Sequence, residues 1–196
     1  LRIFEVDQAE VQARKRSKLP KELPNSENVN YVTVDFTNQS LTKKLMDAGF
    51  DQSKSTVFTL EGVSQYVTKE AVSSTIKGMA TLTQKASSIF FISYVNELLN
   101  KNPEVCFGKG YPNAAKRAKL ITNLAAKAGE PWISFYGAEE IESVLSQNGY
   151  SIKENVTMKD LNSQYFAPIG RTLPENQLFY MEHCVVAKSI GYKESM

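Results

Sequence analysis

The chain has 196 residues, of which 42% are hydrophobic and 22% charged, and its formal net charge is +2. That balance belongs to an ordinary globular domain long enough for one sizeable core, and it excludes recognition of nucleic acid or an anionic membrane by net charge alone. No apolar run reaches the ~18 residues of a membrane-spanning helix, and Cys106 and Cys184 form no Cys-x-x-Cys pair, so they read as free thiols of a cytoplasmic protein.

Taken in chain order, "LRIFEV" reads as a strand and "DQAEVQARKRSKL" as a helix with Asp7 as its N-cap. The basic residues Arg14, Lys15, Arg16, Lys18 and Lys21 read as a solvated helix end rather than a phosphate site. Pro20 and Pro24 make a loop before a second strand, "VNYVTVDF". "SLTKKLMDAGF" is a helix capped by Ser40 and stopped by Gly49. "STVFTLEG" is the third strand, followed by a long helix whose apolar stripe is Val72, Ile76, Met79 and Leu82, at spacings of four and three. "SSIFFISYV" is nearly all apolar and is expected at the centre of a sheet. Residues 96–131 hold no clean strand but do hold the helix "AAKRAKLITNLAAKAG". "GAEEIESVLSQNGYSI" gives a helix running into a strand, and "NQLFYMEHCVVAK" a long closing strand that carries the lone histidine, His183, half-buried. One histidine leaves little room for zinc sites or Ser-His triads. Strands alternating with helices imply an α/β fold with a mostly parallel sheet. The segment before the closing strand is too short for a crossover, so that terminal strand is expected to be antiparallel and to finish the sheet.

Three successive strands end in acid: Glu5 and Asp7, then Asp35 before Phe36, then Glu61 before Gly62. Ligands of open α/β sheets sit beyond the carboxyl ends of the strands. Like charges gathered there repel unless something polar or cationic lies between them. A ligand built from adenosine and an amino acid would satisfy all three: one acid on the ribose hydroxyls, one on the adenine amino group beside an aromatic ring, one facing an ammonium.

The blocks "FEVDQAEVQARK", "VDFTNQSLTKKLMDAGFD", "TLEGVSQYVTKEAV" and "SQYFAPIGRTLPENQLFYMEHCVVAK" resemble the leucine carboxyl methyltransferase-like family, and within it a bacterial branch of S-adenosylmethionine-dependent O-methyltransferases. The resemblance covers most of the chain. It implies a class I, Rossmann-like methyltransferase fold, S-adenosylmethionine as cofactor with S-adenosylhomocysteine as product, and a small-molecule methyl acceptor. By this likeness residues 1–196 are one partial methyltransferase domain, with a helical insertion over 95–133 that covers the substrate. Asp7, with Glu5 nearby, would hold the ribose, Asp35 and Phe36 would frame the adenine, and Glu61 with Gly62 would face the methionine portion. Tyr94, Arg117, Tyr165 and Arg171 would line the acceptor pocket. The family's first strand and glycine-rich loop precede "FEVD", so the likeness implies a missing N-terminal segment or a second chain that completes the sheet, and poor folding or no activity without it. A carboxylate acceptor would need no general base; a hydroxyl acceptor would need one, and the sequence nominates none. Two alternatives stay open: an NAD-dependent oxidoreductase, because an acid after the second strand also serves a dinucleotide ribose, and a catalytically inactive remnant or binding module.

Overall fold

β-rich runs make strands of Ile3–Asp7 (β1) and Val29–Thr33 (β2), and they pair in parallel, with Ile3 opposite Val29 and Asp7 opposite Thr33. The computed structural model describes residues 1–20, 26–35 and 39–190, which fall into two units, Leu1–Lys54 and Ser55–Met196. In the first unit a parallel pair needs a crossover, and the helix Ala9–Lys18 (α1) supplies it. This helix is mostly polar, so it has little apolar surface with which to dock. Its anchor is Gln12, the one buried residue of the helix, whose Nε2 donates to the carbonyls of Glu5 at 2.9 Å and Val32 at 3.2 Å, one on each strand. The expected N-cap is corrected: Gln8 occupies that position without a side-chain capping bond, and Asp7 is the last residue of β1, its Oδ1 accepting the Gln8 N–H at 2.7 Å. Pairing with Thr33 keeps Asp7 extended in the ladder, so the helix begins beyond it. The helix Leu41–Asp47 (α2) is capped by Ser40 Oγ, which accepts the Lys43 N–H at 3.3 Å, and the turn after it uses Gly49 at φ +80°. Val32, Val34, Leu45 and Phe50 form the buried core of this unit.

The second unit holds Thr56–Leu60 (β3), Ser88–Val95 (β4), Tyr150–Thr157 (β5) and Glu182–Ser189 (β6) in the spatial order β3-β4-β6-β5. β3 and β4 are parallel, while β6 runs against both β4 and β5. Three strands therefore share one direction. The terminal strand is antiparallel, as its short approach predicts, and it lies between β4 and β5 rather than at an edge. β4 is paired on both sides, as its apolar run requires. Lys69–Leu82 (α3) links β3 to β4; Thr68 Oγ1 caps it, and Val72, Ile76, Met79 and Leu82 are all buried. Ala138–Gln147 (α6) precedes β5 and buries Ile141 and Leu145. Phe90, Ile92 and Tyr94, alternate residues of β4, lie in the core with Tyr150, Val185 and Ala187.

Between β4 and α6 the chain forms the short helix Leu98–Lys101 (α4), a turn of 3₁₀-helix at Pro103–Cys106 and the expected helix Ala114–Lys127 (α5). They close a small apolar core of Val95, Leu99, Cys106, Phe107, Ala114 and Ala118. Met158–Leu161 (α7) follows β5. The closing strand is shorter than its sequence suggests: β6 begins at Glu182, and the residues before it strap the insertion instead. Phe107 and Phe179 form an antiparallel bridge, the Gly108 N–H donates to the Leu178 carbonyl at 2.9 Å, and the Tyr180 N–H to the Cys106 carbonyl at 2.6 Å. No helix among the described residues is long and apolar enough to cross a membrane.

The strap passes so close to Gly108 that a Cβ there would lie 1.9 Å from the Glu175 carbonyl oxygen. Backbone cannot yield as a side-chain tip can, so Gly108→Ala should cost about 2–3 kcal/mol, seen as a fall in Tm of roughly 4–12 °C for a chain of this size. Gly137→Ala is the comparison: its Cβ would come no nearer than 3.7 Å to the Glu97 carboxylate, and it should cost under about 1 kcal/mol. Equal Tm values for the two variants would contradict the close approach.

Candidate functional site

In the first unit parallel pairing carries two of the expected acids to one end of the sheet. Asp7 closes β1, and its carbonyl accepts the Val34 N–H at 3.0 Å, extending the ladder one step toward Asp35. Asp35 turns the chain: its N–H donates to Gln39 Oε1 at 3.2 Å and its carbonyl accepts the Gln39 N–H at 2.9 Å. Glu5 is committed elsewhere, since its Oε2 takes an ion pair from Lys15 of α1 at 2.6 Å. That hydrogen bond raises the Lys15 pKa. Phe36 lies outside the described residues.

In the second unit the carboxyl ends of β3, β4 and β5, with the start of β6, form a polar rim. The apolar run of β3 stops at Leu60, and the turn that follows is pinned to β4. The Gly62 N–H donates to Ser93 Oγ at 2.9 Å, and Ser64 Oγ donates to the Ser93 carbonyl at 2.7 Å. Ser64 and Ser93 are both buried. Gly62 sits at φ +65°, the left-handed region that favours glycine, and a Cβ there would meet nothing within 4 Å. Space is thus open over the turn, and Glu61 beside it is exposed.

Residues 133–137 fasten this turn to the end of β4. The Gln65 carbonyl accepts the N–H groups of Ile133 at 2.8 Å and Ser134 at 3.2 Å, and Ser134 Oγ donates to the Val67 carbonyl at 2.6 Å. Tyr136 bridges Asn96, its N–H donating to the Val95 carbonyl at 3.0 Å. Next to Ser93 stands Tyr94, fully buried and stacked on His183 with ring centroids 5.0 Å apart. Its hydroxyl lies 3.3 Å from Asn155 Oδ1. Burial pushes the phenols of Tyr94 and Tyr136 up to about 12, so neither is a base near neutral pH. Burial also lowers the His183 pKa, outweighing the Asp160 charge that raises it.

The remaining expected residues are placed differently. Arg117 is exposed on α5, Tyr165 is 61% exposed, and Arg171 is exposed just past the left-handed Gly170. Among the described residues none of these three is hydrogen-bonded to Tyr94. Sequence reasoning missed Ser93, Asn96, Ser134, Tyr136 and Asn155. The one signal available was positional: Ser93 and Asn96 bracket the polar end of an otherwise apolar strand. Among the described residues no group of three or more His, Cys, Asp or Glu side chains could hold a metal ion.

Residues 1–80 match the family model for leucine carboxyl methyltransferase, so the resemblance carried by "FEVD" and "EGVSQYVT" is borne out. Over 186 residues the chain is 33% identical to "Putative S-adenosyl-L-methionine-dependent methyltransferase YktD" of Bacillus subtilis (strain 168), covering 94% of this chain and 58% of that protein. The chain thus spans a little over half the length of this curated relative. Among solved structures it is similar to a DUF574 family protein from Streptomyces avermitilis MA-4680 (TM-score 0.60, 14% identity, 96% of this chain and 65% of that one). It is also similar to an S-adenosylmethionine-dependent methyltransferase from Mesorhizobium loti (TM-score 0.54, 15% identity, 95% and 80%). The fold is the Rossmann-like α/β arrangement of class I methyltransferases, with its mixed, mostly parallel strands.

Ser93→Ala removes the side chain bonded to the Gly62 N–H. It should cost about 1–2 kcal/mol, the range for stranding a buried polar group, and amide hydrogen exchange at Gly62 should quicken while β4 stays protected. Unchanged Gly62 exchange would show that the turn is held by other means.

Proposed function

We propose that this chain, whose first 80 residues match the leucine carboxyl methyltransferase family model, is part of an S-adenosylmethionine-dependent O-methyltransferase. Its acceptor is a carboxylate or hydroxyl of a small molecule. The observation that carries the reading is the 33% identity to YktD over 186 residues. The acids at the strand ends support it from the chemistry of the chain itself.

The acids differ in what each can offer the cofactor. Asp7 uses Oδ1 for the Gln8 N–H, which leaves Oδ2 for ribose hydroxyls. Glu5 is neutralised by Lys15, so in this reading it supports Asp7 rather than binding strongly. Asp35 and Phe36 are assigned to the adenine, Phe36 lying outside the described residues. Glu61 is exposed, its neighbour Gly62 leaves open space, and the turn is fixed from beneath by Ser93. An exposed carboxylate on a fixed, open turn suits the ammonium of an amino acid. Within each unit, taken by itself, the residues offer the kind of polar group that part of the cofactor requires. When bound, S-adenosylmethionine supplies a methyl already activated on a sulfonium. The chain's own work is then alignment and exclusion of water, which can supply much of the rate in a displacement of this kind. Tyr94, Arg117, Tyr165 and Arg171 are assigned to the acceptor, and the insertion over 95–133 to its cover. A carboxylate acceptor suits the rim, because the buried phenols there hold their protons. We place the protein in the cytoplasm, where its two unpaired thiols, Cys106 and Cys184, stay reduced.

Calorimetric titration of the full-length protein with S-adenosylhomocysteine tests the reading, with NAD as the competitor ligand. Saturable binding of the first and none of the second is expected. Glu61→Ala should weaken S-adenosylhomocysteine binding about tenfold, or roughly 1.4 kcal/mol, and leave Tm unchanged. Binding of NAD in its place would sink the methyltransferase reading, and unchanged affinity in Glu61→Ala would remove Glu61 from the site.

A further inference from the structure

His183 stands where β6 begins, beside the end of β4, and its hydrogen bonds settle which ring nitrogen carries the proton. Asn96 Oδ1 accepts the Leu98 N–H, the first of α4, at 2.9 Å from just before the helix. The other end of that amide, Nδ2, can only donate, and it lies 3.1 Å from His183 Nε2. Nε2 is therefore an acceptor. On the far side of the ring, Asn155 Nδ2 donates to Glu142 Oε1 at 2.8 Å, which turns Asn155 Oδ1 toward His183 Nδ1 at 3.4 Å. Nδ1 thus carries the hydrogen. Two asparagines, each oriented by an independent partner, agree on a neutral imidazole with its proton on Nδ1.

We propose that His183 is a positioning residue, an acid-sensitive latch that holds Asn96 and, through it, the entry into the helical insertion at the end of β4. Protonation would put a hydrogen on Nε2, 3.1 Å from the Asn96 NH₂ group, donor against donor. Turning the Asn96 amide over would relieve that clash but strip the Leu98 N–H of its acceptor. Either way the first turn of α4 loosens. The Asn96 backbone also joins the Tyr136 bridge and donates to the Met181 carbonyl at 2.7 Å, so the disturbance reaches both straps of the insertion.

The charged and titratable groups around the ring are few. Tyr94 of β4 covers one face. Asp160 of α7 favours the proton, and burial opposes it more strongly. Glu142 of α6 stands behind Asn155, while Glu182 and Cys184 flank His183 on β6. Glu97 at the start of α4 is engaged by Lys101 at 2.7 Å, and the Tyr136 phenol stays protonated. The folded-state pKa lies below the ordinary 6.5, so the latch is complete above pH 6.5 and is lost as pH falls through the folded value.

His183 is the sole histidine, so ring ¹⁵N spectra of the full chain show one imidazole. Above pH 7 they should show the Nδ1–H tautomer, titrating with a midpoint below 6.5. Protection of the Leu98 amide, corrected for intrinsic exchange, should fall about tenfold through the same midpoint, the loss of roughly one hydrogen bond. In His183→Gln the side-chain oxygen can still accept from Asn96 but cannot titrate, so protection should persist at low pH. An Nε2–H tautomer, a midpoint at or above 6.5, or Leu98 protection that ignores the titration would overturn the latch. The tautomer arm needs no variant. Control of the acceptor pocket by this latch rests on the proposed methyl transfer, whereas the spectra do not. A chain that shows the latch but binds no S-adenosylhomocysteine would cost only the functional reading.

Discussion

The constraint on which the larger unit depends is that β4 is hydrogen-bonded along both edges through Ile92 and then along one edge only, where buried polar residues meet the turns around it. Pairing with β3 stops at Ile92, so the last residues of β4 offer backbone as well as side chains to the turns around them: the Ser93 carbonyl accepts from Ser64 Oγ and the Val95 carbonyl from the Tyr136 N–H. The side chains change character within four residues. Ile92 and Tyr94 belong to the core, while Ser93 and Asn96 are polar and buried. Ser93 holds the turn after β3, and Asn96 holds the first turn of the insertion. The rim that would meet a ligand is thus registered on one strand, whose position is set by parallel pairing to β3 and antiparallel pairing to β6.

The acids at the strand ends are not equivalent, and their surroundings sort them. Glu5 points at a lysine from the helix that follows its own strand, so its charge is largely spent. Asp7 spends one oxygen on the backbone beside it. Glu61 stands exposed on a turn whose geometry is fixed by a buried serine. The Ser93–Gly62 bond fixes the backbone beside Glu61 and not its exposed side chain. The strand register thus decides which carboxylate is free and which is held.

What the sequence could and could not convey follows from range. The stripe Val72, Ile76, Met79 and Leu82 is a local periodicity, and all four residues are buried as it requires. The Ser40 cap and the Gly49 stop are likewise local chemistry. Asp7 had the right residue type for a cap, but pairing with a strand 26 positions away kept it extended. The β-rich run before β6 looked like strand, yet its partners are Cys106, Phe107 and Gly108 of the insertion, a long-range demand that no window of sequence contains. At the candidate site the acids were legible as residue types at the ends of strands, which is a local feature of the sequence. Asn96, Asn155 and His183 were not, because each matters only through the other two, from three different strands or strand ends.

That dependence bears on how the insertion is held. Its apolar core is small, six buried residues on one side of α4 and α5. Apolar contact of this kind is forgiving of small shifts, since burial is non-directional. Hydrogen bonds are not. The bridges from Phe107 to Phe179 and from Asn96 to Tyr136, with the amide of Asn96 set between Leu98 and His183, fix the insertion at particular backbone positions. The apolar core supplies adhesion and the polar bonds supply register. A segment attached in this way can loosen in register while it stays attached, because the directional bonds can break without exposing the core. If the insertion covers an acceptor pocket, as proposed above, this division separates motion from unfolding.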